Sequence, residues 1–262
     1  MSSLCYKVIL DVAVKAAISA GELLLDGASR PFSVSYKGER NLVTEMDKKA
    51  ETLIVDILHK EFPDHDIIAE EGGGQNNNSL WCWYIDPIDG TTNYVRRFPI
   101  YCVSIGLEHN GELVIGVVYQ PVLKELFTAQ LGCGAFLNGE KLKVSSVASM
   151  NEAVLATGFP YTVKQNPDLY LARFRGFMLD SLAIRRAGSA ALDLCYVAAG
   201  RFDGFWESNL APWDMAAGVL MVTEAGGEVT DFLGGKDFLT KGEIIASNKI
   251  IHNSMKEVLA KA

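Results

Sequence analysis

The feature that most constrains this chain is the stretch Trp83, Tyr84, Ile85, Asp86, Pro87, Ile88, Asp89, Gly90, Thr91, Thr92, Asn93. An apolar run of strand type ends in a carboxylate, turns through Pro87 and a second carboxylate, and then presents two hydroxyls. Pro87 fixes one backbone angle and Gly90 permits an unusual one, so Asp86 and Asp89 can aim their oxygens at one point. Thr91 or Thr92 then caps a short helix, whose free N–H groups attract an anion. Such a segment is suited to holding a hard cation beside a phosphate. Asp-Pro and Asp-Gly alone are ordinary turn dipeptides. Two acids, two threonines and an asparagine between Asp86 and Asn93 are a denser set than a turn requires.

The rest of the chain bounds what that segment can serve. At 262 residues there is material for a large core, as one big domain or two packed halves. With 32 acidic against 24 basic residues the net charge is −8, which disfavours nucleic acid and repels a phosphate ester unless bound cations reverse the local sign. Cys5, Cys82, Cys102, Cys133 and Cys195 lie far apart, with no C-x-x-C pair, and read as reduced thiols. The first residues lack a signal-peptide core and no apolar run approaches the ~18 residues of a membrane span, so the expected location is the cytoplasm.

Apolar spacing from Cys5 to Leu25 predicts a first helix ending near Gly27 and a second ending near Phe62, with Asp47 in its first turn as a cap or a site residue. Lys37 to Asn41 reads as a polar loop able to close over a site, and Gln75 to Ser79 as a second polar loop. A strand over Asp66 to Ala69 delivers Glu70 and Glu71, pointing opposite ways, as site acids or as a solvated edge. Antiparallel strands follow, joined at Asn110-Gly111 and near Pro121. After Ser149 strands alternate with helices, including one capped by Ser189 and one opened by Pro212. Residues 1–147 are thus expected to form an α+β half carrying the metal site, and 148–262 an α/β half carrying the substrate site, together one catalytic unit.

Two more acids are well placed: Asp214 inside the Pro212 helix and Glu207 at a strand end, although each also suits a dipole or a strand terminus. If Glu70, Asp86, Asp89 and Asp214 converge, each like-charged pair at about 5 Å costs roughly 3 kcal/mol, and the cluster needs cations. Oxygen-only ligands select Mg²⁺ over zinc or copper. His59, His65, His109 and His252 fall away from these motifs and read as surface residues. Trp81 and Tyr161 read as core, dimer or interface aromatics. No Cys-x5-Arg loop, G-x-S-x-G elbow or G-x4-G-K-[ST] loop occurs.

These residues resemble the inositol monophosphatases. The likeness rests on Glu70-Glu71, on Asp86 through Asn93, and on Trp213-Asp214-Met215-Ala216-Ala217-Gly218; it extends to Leu42-Val43-Thr44 with Asp47, Gly188-Ser189-Ala190-Ala191 and Thr223 to Gly227. The segment Leu210 to Trp213 is closer to bacterial members. The resemblance implies a layered αβαβα sandwich shared with fructose-1,6-bisphosphatase, a homodimer, two to three Mg²⁺ ions per subunit, inhibition by Li⁺, and hydrolysis of a small phosphate ester such as inositol 1-phosphate. It implies that Glu70, Asp86 and the Ile88 carbonyl hold one ion, that Asp86, Asp89 and Asp214 hold a second, and that Glu70 shares a third. Thr91 with Asp47 would orient the attacking water. Gly90, Thr91 and Thr92 would meet the phosphate, and Asp89, Gly188, Ser189, Ala190 and Glu207 the alcohol, with Arg185 nearby. Many relatives carry an acid where this chain has Asn41, which touches the third ion. Fructose 1,6-bisphosphate, histidinol phosphate or 3′-phosphoadenosine 5′-phosphate are alternative substrates, and a regulatory protein-binding role on the same scaffold is the alternative of another class.

Overall fold

The structure, a computed structural model, describes residues 3–30, 32–37, 42–74 and 77–261, with side chains from Tyr6 onward. Gly38 to Asn41, including most of the expected polar loop, lie outside the described residues, as do 75–76. The chain opens with α1 (Ser3–Ala28), which starts two residues earlier than its apolar spacing predicts and ends within a residue of the expected Gly27. The strands β1 (Val34–Tyr36) and β2 (Leu42–Thr44) then pair antiparallel and lead into α2 (Glu45–Glu61).

Thr44 caps α2: its Oγ1 accepts from the N–H of Met46 at 3.0 Å, and Asp47 Oδ2 accepts from the N–H of Thr44 at 2.7 Å. Such a reciprocal box is worth ~1 kcal/mol to a helix start. It also fixes the position of Asp47.

The first large sheet runs β3 (Asp66–Ala69), β4 (Trp81–Asp89), β5 (Cys102–His109), β6 (Glu112–Gln120), β7 (Glu125–Gln130), β8 (Gly134–Leu137) and β9 (Glu140–Lys141), in that spatial order. All neighbours are antiparallel except β3 and β4, which the long loop between them lets run parallel. The second sheet has the order β11 (Ala183–Arg185), β10 (Val154–Thr157), β12 (Gly204–Ser208), β14 (Glu243–Ser247), β13 (Glu228–Thr230). The pairs of β10 are parallel and those of β14 antiparallel, so this half is mixed rather than purely parallel.

Five layers result. α1 and α2 cover the outer face of the first sheet; α5 (Ala190–Ala198) and α6 (Pro212–Glu224) lie between the sheets; α4 (Pro167–Asp180) and α8 (His252–Ala260) cover the second. Three apolar cores fill the intervals, centred on Trp83 and Ile54, on Leu194 and Met221, and on Phe177 with Trp206. The fold is thus the expected α+β sandwich. Among the described residues no helix is long and apolar enough to cross a membrane.

Two side-chain expectations fail. His252 is buried, bonded to Thr230 and Ser247 at 2.9 Å each, and His65 is stacked on Trp81 and Phe62 rather than lying free on the surface. Trp81 is correspondingly held between His65 and His109.

Candidate active site

Alternation along a strand puts residues three apart on opposite faces. Asp86 and Asp89 escape that rule because Asp86 pairs with Ser104 and Asp89 with Cys102, leaving one extra β4 residue in a bulge at Pro87-Ile88. Pro87 has no N–H for the ladder, which is why the irregularity falls there. Both carboxylates therefore line one cavity of about 330 Å³, together with Glu70 from the turn after β3, Asp214 from α6 and Glu207 from β12.

The three aspartates are each anchored through an oxygen. Asp89 Oδ2 accepts from Ser189 Oγ and from the N–H of Ala191, both at 2.7 Å, at the start of α5. Asp214 Oδ2 accepts from the N–H of Ala211 at 2.7 Å, and Asp86 Oδ1 from the N–H of Ile88 at 2.9 Å. Asp86 also lies close enough to Glu70 and Asp214 for direct side-chain interaction with both. Burial and then the neighbouring carboxylates push the Asp86 carboxyl well above the carboxylate range. Asp214, buried and beside Asp89, rises to about 8. Asp89 rises to about 6, burial outweighing the Ser189 and Ala191 bonds that pull it down.

Glu70 and Glu71 do not diverge as strand alternation predicts. Both carboxylates meet the Lys37 ammonium, at 3.0 Å for Glu70 and closer for Glu71. Behind them Glu51 of α2, which the sequence does not single out, accepts the N–H groups of Glu71 and Gly73 at 2.7 Å each.

Neither Thr91 nor Thr92 caps α3 (Thr91–Val95); Gly90 does, at φ 97°. A side chain there would stand 3.0 Å from the Ile100 carbonyl oxygen and 3.1 Å from that of Gly188, so glycine is required on both counts. The Thr91 hydroxyl instead has its one proton between Asp47 Oδ1 and the Ile88 carbonyl oxygen, each at 3.1 Å. With both neighbours acceptors, the remaining lone pairs of Thr91 Oγ1 are left to accept a proton from something else. Burial raises the Asp47 carboxyl, against the bonds from Thr44 and Thr91 that lower it.

Thr92, Gly188, Ser189 and Ala190 complete the wall with the loop Gly158, Phe159, Pro160 and Tyr161. Tyr161 thus faces the cavity. Arg185 does not line it; its Nη1 turns back to the Ile184 carbonyl at 3.2 Å, and the basic lining residue is Arg186. Asp193 of α5 is a further lining acid that sequence reasoning missed, because it sits inside an apolar helix.

Six carboxyl groups line the cavity against one guanidinium, and burial pushes several of them toward the protonated form when no cation is bound. Among the described residues no three Asp, Glu, His or Cys side chains are closed into a finished coordination cage. The donor chemistry nonetheless fits Mg²⁺: all donors are oxygens, no histidine or cysteine lines the wall, and the acids far outnumber the cations beside them.

Layered sheets around such a cavity place the chain in the sugar-phosphatase class of folds. It belongs to the inositol monophosphatase family, whose pattern it matches over residues 6–262. A protein named Nus factor SuhB from Pseudomonas aeruginosa is 49% identical over 246 residues, 91% of each chain. An inositol-1-monophosphatase from Mesorhizobium japonicum is 41% identical over 256 residues, 97% of this chain and 96% of that one. The crystal structure of extragenic suppressor protein suhB from Bartonella henselae superposes with a TM-score of 0.93 at 43% identity, covering 97% of this chain and 99% of the other.

Proposed function

We propose that this chain is a Mg²⁺-dependent phosphatase of small polyol monophosphates, with inositol 1-phosphate the favoured ester. The observation that carries the reading is that Glu70, Asp86, Asp89 and Asp214 share one cavity wall with the Thr91–Asp47 hydrogen bond. Glu70, Asp86 and the Ile88 carbonyl would hold a first ion, and Asp86, Asp89 and Asp214 a second, with Glu70 able to share a third. Bound divalent ions would neutralise the ester and make water a competent nucleophile at neutral pH. Unassisted monoester hydrolysis is among the slowest of reactions, and its loose transition state asks mainly for positioning and charge.

The chain's own groups do that positioning. Thr91 Oγ1, its proton committed to Asp47 or Ile88, accepts from the attacking water and fixes its direction. Backbone N–H groups of Gly90, Thr91 and Thr92 receive phosphate oxygens. Gly188, Ser189, Ala190 and Glu207 face the alcohol. Inhibition by Li⁺ and a homodimer belong to the same proposal.

The test is hydrolysis of inositol 1-phosphate and fructose 1,6-bisphosphate by wild type, Asp89→Asn and Asp214→Asn over a Mg²⁺ series. Loss of about a hundredfold or more in both variants is expected. Near-wild-type rates in both would remove the two-ion reading. A regulatory protein-binding role is favoured separately by the name Nus factor on the 49% identical relative. Rescue of a strain lacking this gene by the Asp214→Asn form would support it, and failure of rescue alongside normal expression would count against it.

A further inference from the structure

Tyr161 is 54% exposed and yet lines the cavity, so its ring stands at the mouth. It is carried by the loop after β10, and that loop is tied down on three sides. Glu207 lies against Gly158 and leaves no room for a side chain there. Phe159 packs on Phe174 of α4, with ring centroids 5.8 Å apart. Thr162 Oγ1 accepts from Asn209 Nδ2 at 2.7 Å. Asn209, the residue after β12, is also on the cavity wall and takes the left-handed backbone that asparagine tolerates, at φ 64°. Tyr161 is therefore placed by its neighbours.

The phenol is directed toward the ion end of the cavity. Burial raises it first, and then the charges of Glu70, Asp89, Asp86 and Asp214 in that order. Those are the four acids assigned to the ions. Glu207 and Asp193, both of which Arg186 pulls down, are not among the charges that act on it most. Among the described residues the Tyr161 hydroxyl donates to none of the four. Other donors on the wall are committed. Ser189 Oγ gives its proton to Asp89 Oδ2 at 2.7 Å, and Asn93 Nδ2 gives its two to the Ile100 and Ala187 carbonyls at 2.7 and 2.8 Å.

We propose that Tyr161 is a phosphate-binding residue: its hydroxyl donates to a non-bridging phosphate oxygen from the loop after β10, while the N–H groups of Gly90, Thr91 and Thr92 approach from the start of α3. This rests on the phosphatase reading. A neutral donor suits the place. An ammonium there would hold a phosphate but would also pair with the four carboxylates and compete with the ions they bind, whereas a protonated phenol adds no charge. Because the contact is to the phosphate and not to the alcohol, its loss weakens every ester alike.

Tyr161→Phe removes the hydroxyl and keeps the ring. Wild type and variant are compared on inositol 1-phosphate and on glycerol 2-phosphate, with inorganic phosphate as inhibitor. KM on both esters and the inhibition constant of phosphate are each expected to rise about tenfold, the loss of one hydrogen bond to a charged acceptor. The value of kcat should change little, because the contact is made in ground state and transition state alike. A KM that rises for inositol 1-phosphate alone would overturn the proposal by moving the hydroxyl to the alcohol, and unchanged constants would overturn it outright. Thermal stabilisation by inorganic phosphate with Mg²⁺ reads the contact without turnover, and half of the full shift should need about tenfold more phosphate in the variant. A wild type that phosphate stabilises but that hydrolyses neither ester would reject the phosphatase reading, and the half-saturating concentrations would still decide for or against Tyr161. Neither stabilisation nor hydrolysis would reject both.

Discussion

The distance of α6 from the first sheet sets where Asp214 sits, and two glycines set that distance. Gly106 of β5 and Gly116 of β6 face each other across the strands and form a slot that receives Ala216 and Ala217. A Cβ at Gly116 would stand 2.7 Å from the Ala217 carbonyl oxygen, where ordinary contact begins near 3.4 Å, so the helix must withdraw by about 0.7 Å. The obstacle is backbone, which cannot swing aside. Gly116→Ala should therefore cost about 1–3 kcal/mol, or several degrees of melting temperature for a chain of this size. Asp214 lies in the first turn of the same helix, three residues before Ala217, and moves with it away from Asp86 and Asp89. Misplacement of ~1 Å at a catalytic group costs on the order of a hundredfold; a tenfold fall in kcat/KM and a raised Mg²⁺ requirement are expected. Melting curves and Mg²⁺-dependent hydrolysis of inositol 1-phosphate measure both. Glu112→Ala, an exposed position at the start of the same strand β6, is the control. A Gly116→Ala protein that melts lower but keeps wild-type Mg²⁺ dependence would refute the link between helix spacing and the site.

Metal-free protein should lose stability as pH rises from 7 to 9. Asp214 and Glu207, both raised to about 8 by burial and nearby carboxylates, keep their protons when folded and have lost them when unfolded, so the folded state is favoured at the lower pH. His65 and His252 shift the other way, but they are largely neutral in both states across this window and do not mask the trend. Mg²⁺ should raise the melting temperature more at pH 9 than at pH 7, and a metal-free melting temperature that climbs with pH would contradict this. Glu51→Gln removes one of the two acceptors that hold the turn carrying Glu70, at ~1–3 kcal/mol. Half-activation by Mg²⁺ should then need severalfold more of the ion than in Glu112→Gln on the exposed hairpin; equal requirements would show that Glu51 has no part in placing Glu70.

What was legible in the sequence was what neighbouring residues decide. The cap at Ser189, the turn at Asn110-Gly111, and the strand that delivers Asp86 each follow from a few consecutive side chains. What was hidden depends on contacts distant in sequence. No local rule marks Gly116 as the seat of a helix a hundred residues later, or separates Arg186 from Arg185 as the residue that reaches the cavity. Asp193 reads as one acid in an apolar helix until the wall it belongs to is assembled. The question over Asp47, cap or site residue, had no answer in those terms because a carboxylate has two oxygens. Oδ2 closes the helix start through Thr44, and Oδ1 receives the Thr91 hydroxyl. The cap is thus what holds Oδ1 still, so a substitution that spares one oxygen and not the other will disturb both the helix start and the Thr91 hydroxyl.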